Sequence, residues 1–174
     1  LTGNERVMDA YCGIGTIGLI ASRDAREVIS VELNPDAVRD AVTNAKRNQI
    51  KNVSFYQNDA GAFMVSMAEK GEKADIVFMD PPRAGSDEAF LSSVVTLSPK
   101  KVVYVSCNPE TLARDLRYLT KHGYKAEEAW GYDMFAWSEH VESIVLLSKL
   151  KSNKLKHINV ELEMDELDLT AAES

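Results

Sequence analysis

The chain has 174 residues, 45% hydrophobic and 27% charged, with a net charge of −7. That is the balance of a soluble globular domain long enough for one full core, and it excludes a protein that grips nucleic acid by charge alone. Residues 151–174 carry −3 of the total, so residues 1–150 are only mildly acidic. No apolar run is long enough to span a bilayer and no signal-peptide pattern opens the chain. Leu1 at the start points to a fragment or a processed chain. Two cysteines, Cys12 and Cys107, make neither a disulfide scaffold nor a zinc site, and a reducing cytoplasm is the expected location.

In chain order, RVMDAY (6–11) reads as a short buried strand, followed by CGIGTIG and a helix to about Ser22. EVISVEL (27–33) is a second strand, and Asn34-Pro35 opens a helix to about Asn48, with proline at its first position. A third strand spans Val53 to Gln57, and a helix runs from Ala60 to Lys70 before Gly71. ADIVFMD (74–80) is a nearly all-apolar fourth strand broken by Pro81-Pro82, and Glu88 to Leu97 is helical. The fifth strand, Lys101 to Ser106, ends at Cys107, where Asn108-Pro109 turns the chain into a helix reaching His122. Tyr124 to Tyr132 and Ser143 to Ser148 complete seven strands. Strands alternating with helices predict an α/β fold with a doubly wound, mostly parallel sheet. The last two strands lack a helix between them and predict an antiparallel edge pair.

Four features fall at the carboxyl ends of strands one, two, four and five, the rim where open α/β sheets bind ligands. The first is DAYCGIGTIG (9–18), whose Gly13, Gly15 and Gly18 match G-x-G-x-x-G; alone this is a weak signal, since a tight turn without a ligand has the same spacing. The second is Glu32, either a surface acid or an acceptor for the two ribose hydroxyls of an adenosine. The third is DPPR (80–83), in which two prolines stiffen a loop between Asp80 and Arg83. The fourth is SCNP (106–109), where Cys107 is either a core filler or a nucleophile. A disulfide to Cys12 is rejected: with strand four between one and five, the separation is roughly 2 × 4.8 Å, beyond the ~7 Å that a bridge tolerates. Cys12 is expected to be structural or to contact backbone. Late in the chain, DMFAWSEHVES (133–143) offers His140, a polar residue or a base, and Glu142, a strand boundary or a general base.

The set DAYCGIG, VELNP, DPPR, SCNPETLARD and DMFAWSEHVES, in this order from about Leu1 to Leu150, resembles the catalytic domain of RNA uracil-5-methyltransferases, S-adenosylmethionine enzymes acting on ribosomal or transfer RNA. HINVELEMDELDLTAAES also resembles the tail of the Gram-positive members that act on 23S ribosomal RNA. The resemblance implies a Rossmann-like methyltransferase fold and a catalytic domain over residues 1–150. Residues 151–174 would be a C-terminal extension, and the upstream RNA-binding domain of such enzymes is absent from this chain. It implies S-adenosylmethionine held by Tyr11, Gly13 and Glu32, with Asp59 near the adenine and Asp80 beside cofactor and target base. Cys107 would be the nucleophile and Glu142 the general base. The partner would be RNA, ribosomal ahead of transfer RNA, with no metal, no membrane and no protein partner, and most of the RNA grip would lie outside this chain. Ala136 stands where such enzymes commonly have DMFP, so the loop before Glu142 is expected to be less rigid. Two other readings stay open at this point: an NAD-dependent dehydrogenase, on the three glycines, and a non-catalytic methyltransferase-like domain that binds RNA or a partner.

Overall fold

A computed structural model of the chain describes residues 1–134, 137 and 141–151. Its strands are β1 (Arg6–Ala10), β2 (Glu27–Glu32), β3 (Val53–Gln57), β4 (Ile76–Met79), β5 (Lys101–Ser106), β6 (Tyr124–Tyr132) and β7 (Glu142–Lys149). Its helices are α1 (Thr16–Ala21), which tightens into a single 3-10 turn over Ser22–Asp24, α2 (Pro35–Arg47), α3 (Ala60–Glu69), α4 (Glu88–Leu97) and α5 (Pro109–Lys121). The strands form one sheet in the order β3-β2-β1-β4-β5-β7-β6. The first five are parallel, and β7 runs antiparallel to both β5 and β6. The doubly wound sheet and its antiparallel edge pair are as expected from the sequence.

Small differences have local causes. The fourth strand is shorter than residues 74–80. Asp75 is engaged instead at the strand mouth, its carboxylate accepting from the Arg6 N–H at 3.0 Å and pairing with Lys100 at 3.0 Å. Asp80 therefore sits one residue past the strand end, and Glu142 is the first residue of β7 rather than the residue before it. Residues 152–174, Ala136 and the candidate base His140 lie outside the described residues. Among the described residues, no helix is long and apolar enough to cross a membrane.

Asn-Pro starts two helices by one device. Asn34 caps α2 by accepting from the Asp36 N–H, and Asn108 caps α5 by accepting from the Glu110 N–H. In each the following proline occupies a position whose N–H has no partner within the helix. Asp59 and Asp87 cap α3 and α4 in the same way. All four caps stand at one rim, so the chemistry-bearing turns are fixed by local hydrogen bonds.

The two faces of the sheet differ. Ala10, Met79 and Tyr104 are register partners and point toward α3, α4 and α5, where Met64, Phe90 and Leu119 fill the main core. Asp9, Phe78 and Val103 are partners on the opposite face. There α1 and α2 pack on β1, β2 and β3, while Val103, Val105, Ile144 and Leu146 stay partly buried.

Candidate active site

At the rim, Tyr11, Glu32, Asp59, Asp80 and Pro82 line one cavity of about 390 Å³. Four of the five residues expected to hold a cofactor thus meet at one place. Gly13 is tied to it rather than lining it: its N–H donates to Glu32 Oε2 at 2.9 Å, and Glu32 Oε1 accepts from the Asn34 N–H at 2.9 Å. The carboxylate expected to take ribose hydroxyls is therefore already fixed by two backbone N–H groups, each oxygen retaining a further acceptor direction. Tyr11 adopts a left-handed backbone (φ 64) and packs its ring on Phe90 at 5.3 Å. Burial pushes its hydroxyl pKa up, as do the carboxylates of Asp87, Asp59 and Asp115. A cleft of similar volume, about 420 Å³, lies between α4 and α5 and is walled by Ser86, Arg114 and Tyr118. Volume alone does not choose between them; the convergence of four strand ends favours the rim.

Asp9, inside DAYCGIG, is a site-adjacent carboxyl that the spacing of the glycines does not reveal. It is buried on β1 beneath α1 and accepts from the Gly18 N–H at 2.8 Å, while its second oxygen has no partner. A Cβ on Gly18 would lie 2.7 Å from both Asp9 Oδ2 and Ser30 Oγ, so this third glycine is required by contact with a buried carboxyl. Burial raises the Asp9 pKa to about 7; the Gly18 N–H opposes the rise and the Asp80 and Glu32 carboxylates add to it. A raised folded-state value means that the folded chain keeps a proton the unfolded chain releases. Its contribution to stability is complete below about pH 4 and is lost as pH rises through about 7. Asp9→Asn keeps an acceptor for Gly18 and removes the titration. Chemical denaturation at about pH 5 and pH 8 should show the wild type losing stability relative to Asp9→Asn at the higher pH. Parallel behaviour of the two would refute a neutral, buried Asp9.

The two cysteines are in different states. Both are free. Cys12 is buried, its Sγ donating to the Gly13 carbonyl at 3.7 Å, and burial with the nearby Asp9 and Glu32 carboxylates pushes its pKa up to about 12. That thiol is a poor nucleophile. Cys107 is partly exposed at the end of β5. In the β5–β7 ladder the last pair is Ser106 with Ser143, so Cys107, in the bend that follows β5, and Glu142, the first residue of β7, each adjoin that pair at the same end of the ladder. Asp80 stands beside them: burial raises its pKa to about 6, with the Glu142 carboxylate as the second cause. The rim therefore joins a thiol and two carboxyl groups.

A clamp holds the DPPR loop against the cysteine turn. Asn108 Nδ2 and Thr111 Oγ1 both donate to the Arg83 carbonyl, at 3.0 and 3.2 Å. Asp115 is 1% exposed. Its Oδ2 accepts from the Ser86 N–H (2.8 Å) and the Tyr104 hydroxyl (2.7 Å), and its Oδ1 from Arg114 Nε (2.8 Å). Arg114 also donates to the carbonyls of Ala84 and Ser86, both at 3.0 Å. A Cβ on Gly85 (φ 74) would meet Arg114 Nη2 at 2.6 Å and Asp115 Oδ2 at 2.7 Å. The LARD segment thus supplies the acid and base of this clamp, a role its resemblance alone does not reveal. The available signal was helical spacing: Leu112, Asp115 and Leu119 are the buried residues of α5, which puts an acid on the apolar face.

The family model described as tRNA (Uracil-5-)-methyltransferase matches residues 2–150. A Halalkalibacterium halodurans protein named uncharacterized RNA methyltransferase is 48% identical over 147 residues, 84% of this chain and 32% of that one. An Enterococcus faecalis protein of the same description is 47% identical over 149 residues, 86% of this chain and 33% of that one. The chain therefore spans about a third of the length of these relatives. Among solved structures, the Pyrococcus abyssi tRNA (uracil-54, C5)-methyltransferase in complex with S-adenosyl-L-homocysteine is 33% identical with a TM-score of 0.70, over 84% of this chain and 35% of that one. The dehydrogenase reading of the three glycines gives way to these matches: the chain belongs to the tRNA (uracil-5-)methyltransferase family.

Proposed function

We propose that this chain is the catalytic region of an S-adenosylmethionine-dependent RNA methyltransferase that acts on C5 of a uridine. Residues 1–150 would form the catalytic domain and 151–174 an extension. The observation that carries this reading is that Cys107 and Glu142 both adjoin the last β5–β7 pair, Ser106 with Ser143, with Asp80 close enough to feel the Glu142 carboxylate and the acid-lined cavity beyond it. The donor set suits the cofactor: Glu32 and Asp59 offer carboxylate oxygens to hydroxyl or amino groups, Tyr11 an aromatic wall, and Asp80 a further acid beside the thiol. S-adenosylmethionine bound there supplies an electrophilic methyl group. The work of the chain's own residues is to make uracil C5 nucleophilic and then restore the ring. Cys107 Sγ adds to C6, forming an S–C bond and shifting electron density to C5. After methylation C5 still carries a proton; Glu142 removes it, the C5–C6 double bond re-forms and the thiolate departs. The uridine must leave its stack to reach these groups.

The similarity of the tail to the 23S ribosomal RNA members puts ribosomal RNA ahead of transfer RNA as substrate, and mapping the methylated nucleotide after reaction with each decides between them. Two free cysteines suit a reducing cytoplasm. Glu32→Ala removes a charged acceptor from the cavity and should weaken S-adenosylhomocysteine binding by about 1.5–3 kcal/mol, read by calorimetry. Unchanged affinity would place the cofactor elsewhere.

A further inference from the structure

Five of the ten large hydrophobic side chains exposed among the described residues fall within residues 130–141: Trp130, Tyr132, Met134, Trp137 and Val141. Both tryptophans of the chain are among them. Trp130 is 42% and Tyr132 47% exposed. Their position is set by register. β5 and β6 are both antiparallel to β7, so β6 ends at the same rim as the cysteine turn. Tyr132 pairs with Glu142, and Trp130 pairs with Ile144, itself the partner of Val105. Directly opposed residues project from one face, so Trp130 and Tyr132 stand on the face that carries Glu142, at the end of the sheet where the cysteine turn lies.

The rest of β6 is different. Lys125, Glu127 and Glu128 are exposed, and Lys125 pairs with Glu127 at 3.0 Å. Charges along an edge strand discourage pairing with another chain, so the apolar end is not part of a sticky edge. A second copy seated on it would cover Glu142. Among the described residues, Asp80, Asp133 and Glu142 put acids at this end, which repel phosphate, and Arg83 stands in the loop clamped to the cysteine turn. Flat aromatic faces among acids suit uncharged nucleobases, which stack on such rings whatever their sequence. Extruding a uridine also leaves its neighbours unstacked, and a surface beside the thiol can replace the lost stacking.

We propose that Trp130 and Tyr132, bordered by Met134, Trp137 and Val141, form a stacking platform for unpaired RNA bases next to the target uridine. This rests on the reading of the site as an RNA methyltransferase centre. The test uses the chain with Trp137→Phe, which leaves Trp130 as its single tryptophan. It is titrated with a hairpin RNA carrying a uridine-containing loop and with the blunt duplex of the stem. The loop RNA should quench Trp130 emission and the duplex should not. Trp130→Ala and Tyr132→Ala should each weaken loop binding roughly ten-fold, and Trp130→Phe should restore it. The slope of affinity against salt should stay unchanged, because no phosphate contact is lost. Absence of quenching in a protein that still forms a Cys107-linked RNA adduct would overturn the platform and leave the methyltransferase reading standing; absence of both in the full-length enzyme would remove the two together. Self-association abolished by Trp130→Ala, without RNA quenching, would reassign the patch to contact between copies and also overturn the proposal.

Discussion

In the full-length enzyme, Cys107→Ala should form no covalent adduct with substrate RNA, whereas Glu142→Gln should accumulate one. The difference follows from the order of bond changes. The thiol makes the bond to C6 first, so without it C5 never becomes nucleophilic and methyl transfer is lost outright. Glu142 acts after methylation, by taking the proton whose loss allows the thiolate to leave. Its amide variant should add, methylate and stall. A denaturing gel with labelled RNA should show a slow band for Glu142→Gln and none for Cys107→Ala. Normal turnover by Glu142→Gln without a trapped species would require another base, and His140 would be the next candidate. Methylation by Cys107→Ala would dismiss the uracil mechanism itself.

The largest stability effect is expected at Asp115, away from the bond-making groups. Asp115→Ala leaves the Ser86 N–H and the Tyr104 hydroxyl buried without their acceptor, at roughly 1–3 kcal/mol for each. Arg114 loses its carboxylate partner as well. For a chain of this length the melting temperature should fall on the order of 10 °C. Tyr104→Phe in the same background removes one of the stranded donors, so the double variant should lose less than the two single variants together. Strict additivity would mean that the hydroxyl and the carboxylate are not coupled. Asp115→Asn should be intermediate. Its amide oxygen can still serve Ser86 and Tyr104, but its NH₂ faces the Arg114 donor.

The alternation of apolar strands with capped helices determined the α/β class, and the element order was legible because its signals are local. Asn34-Pro35 and Asn108-Pro109 start helices through hydrogen bonds two residues long. The apolar runs of β4 and β5 announce central strands packed against a core. The strand-end motifs likewise indicated where Tyr11, Glu32, Asp80 and Cys107 would gather, since parallel strands with right-handed crossovers put their carboxyl ends on one rim. Tertiary structure decided which groups face one another. That Cys107 and Glu142 come to the same end of one strand pair depends on β7 inserting between β5 and β6, a choice of strand order that no local spacing encodes. The partners of Asp115 lie 29 and 11 residues away in sequence, and Asp9 becomes a raised-pKa carboxyl only because α1 and β2 close over it. Turns and periodicity are written in neighbouring residues, whereas burial and charge coupling arise only when distant segments pack and water is excluded.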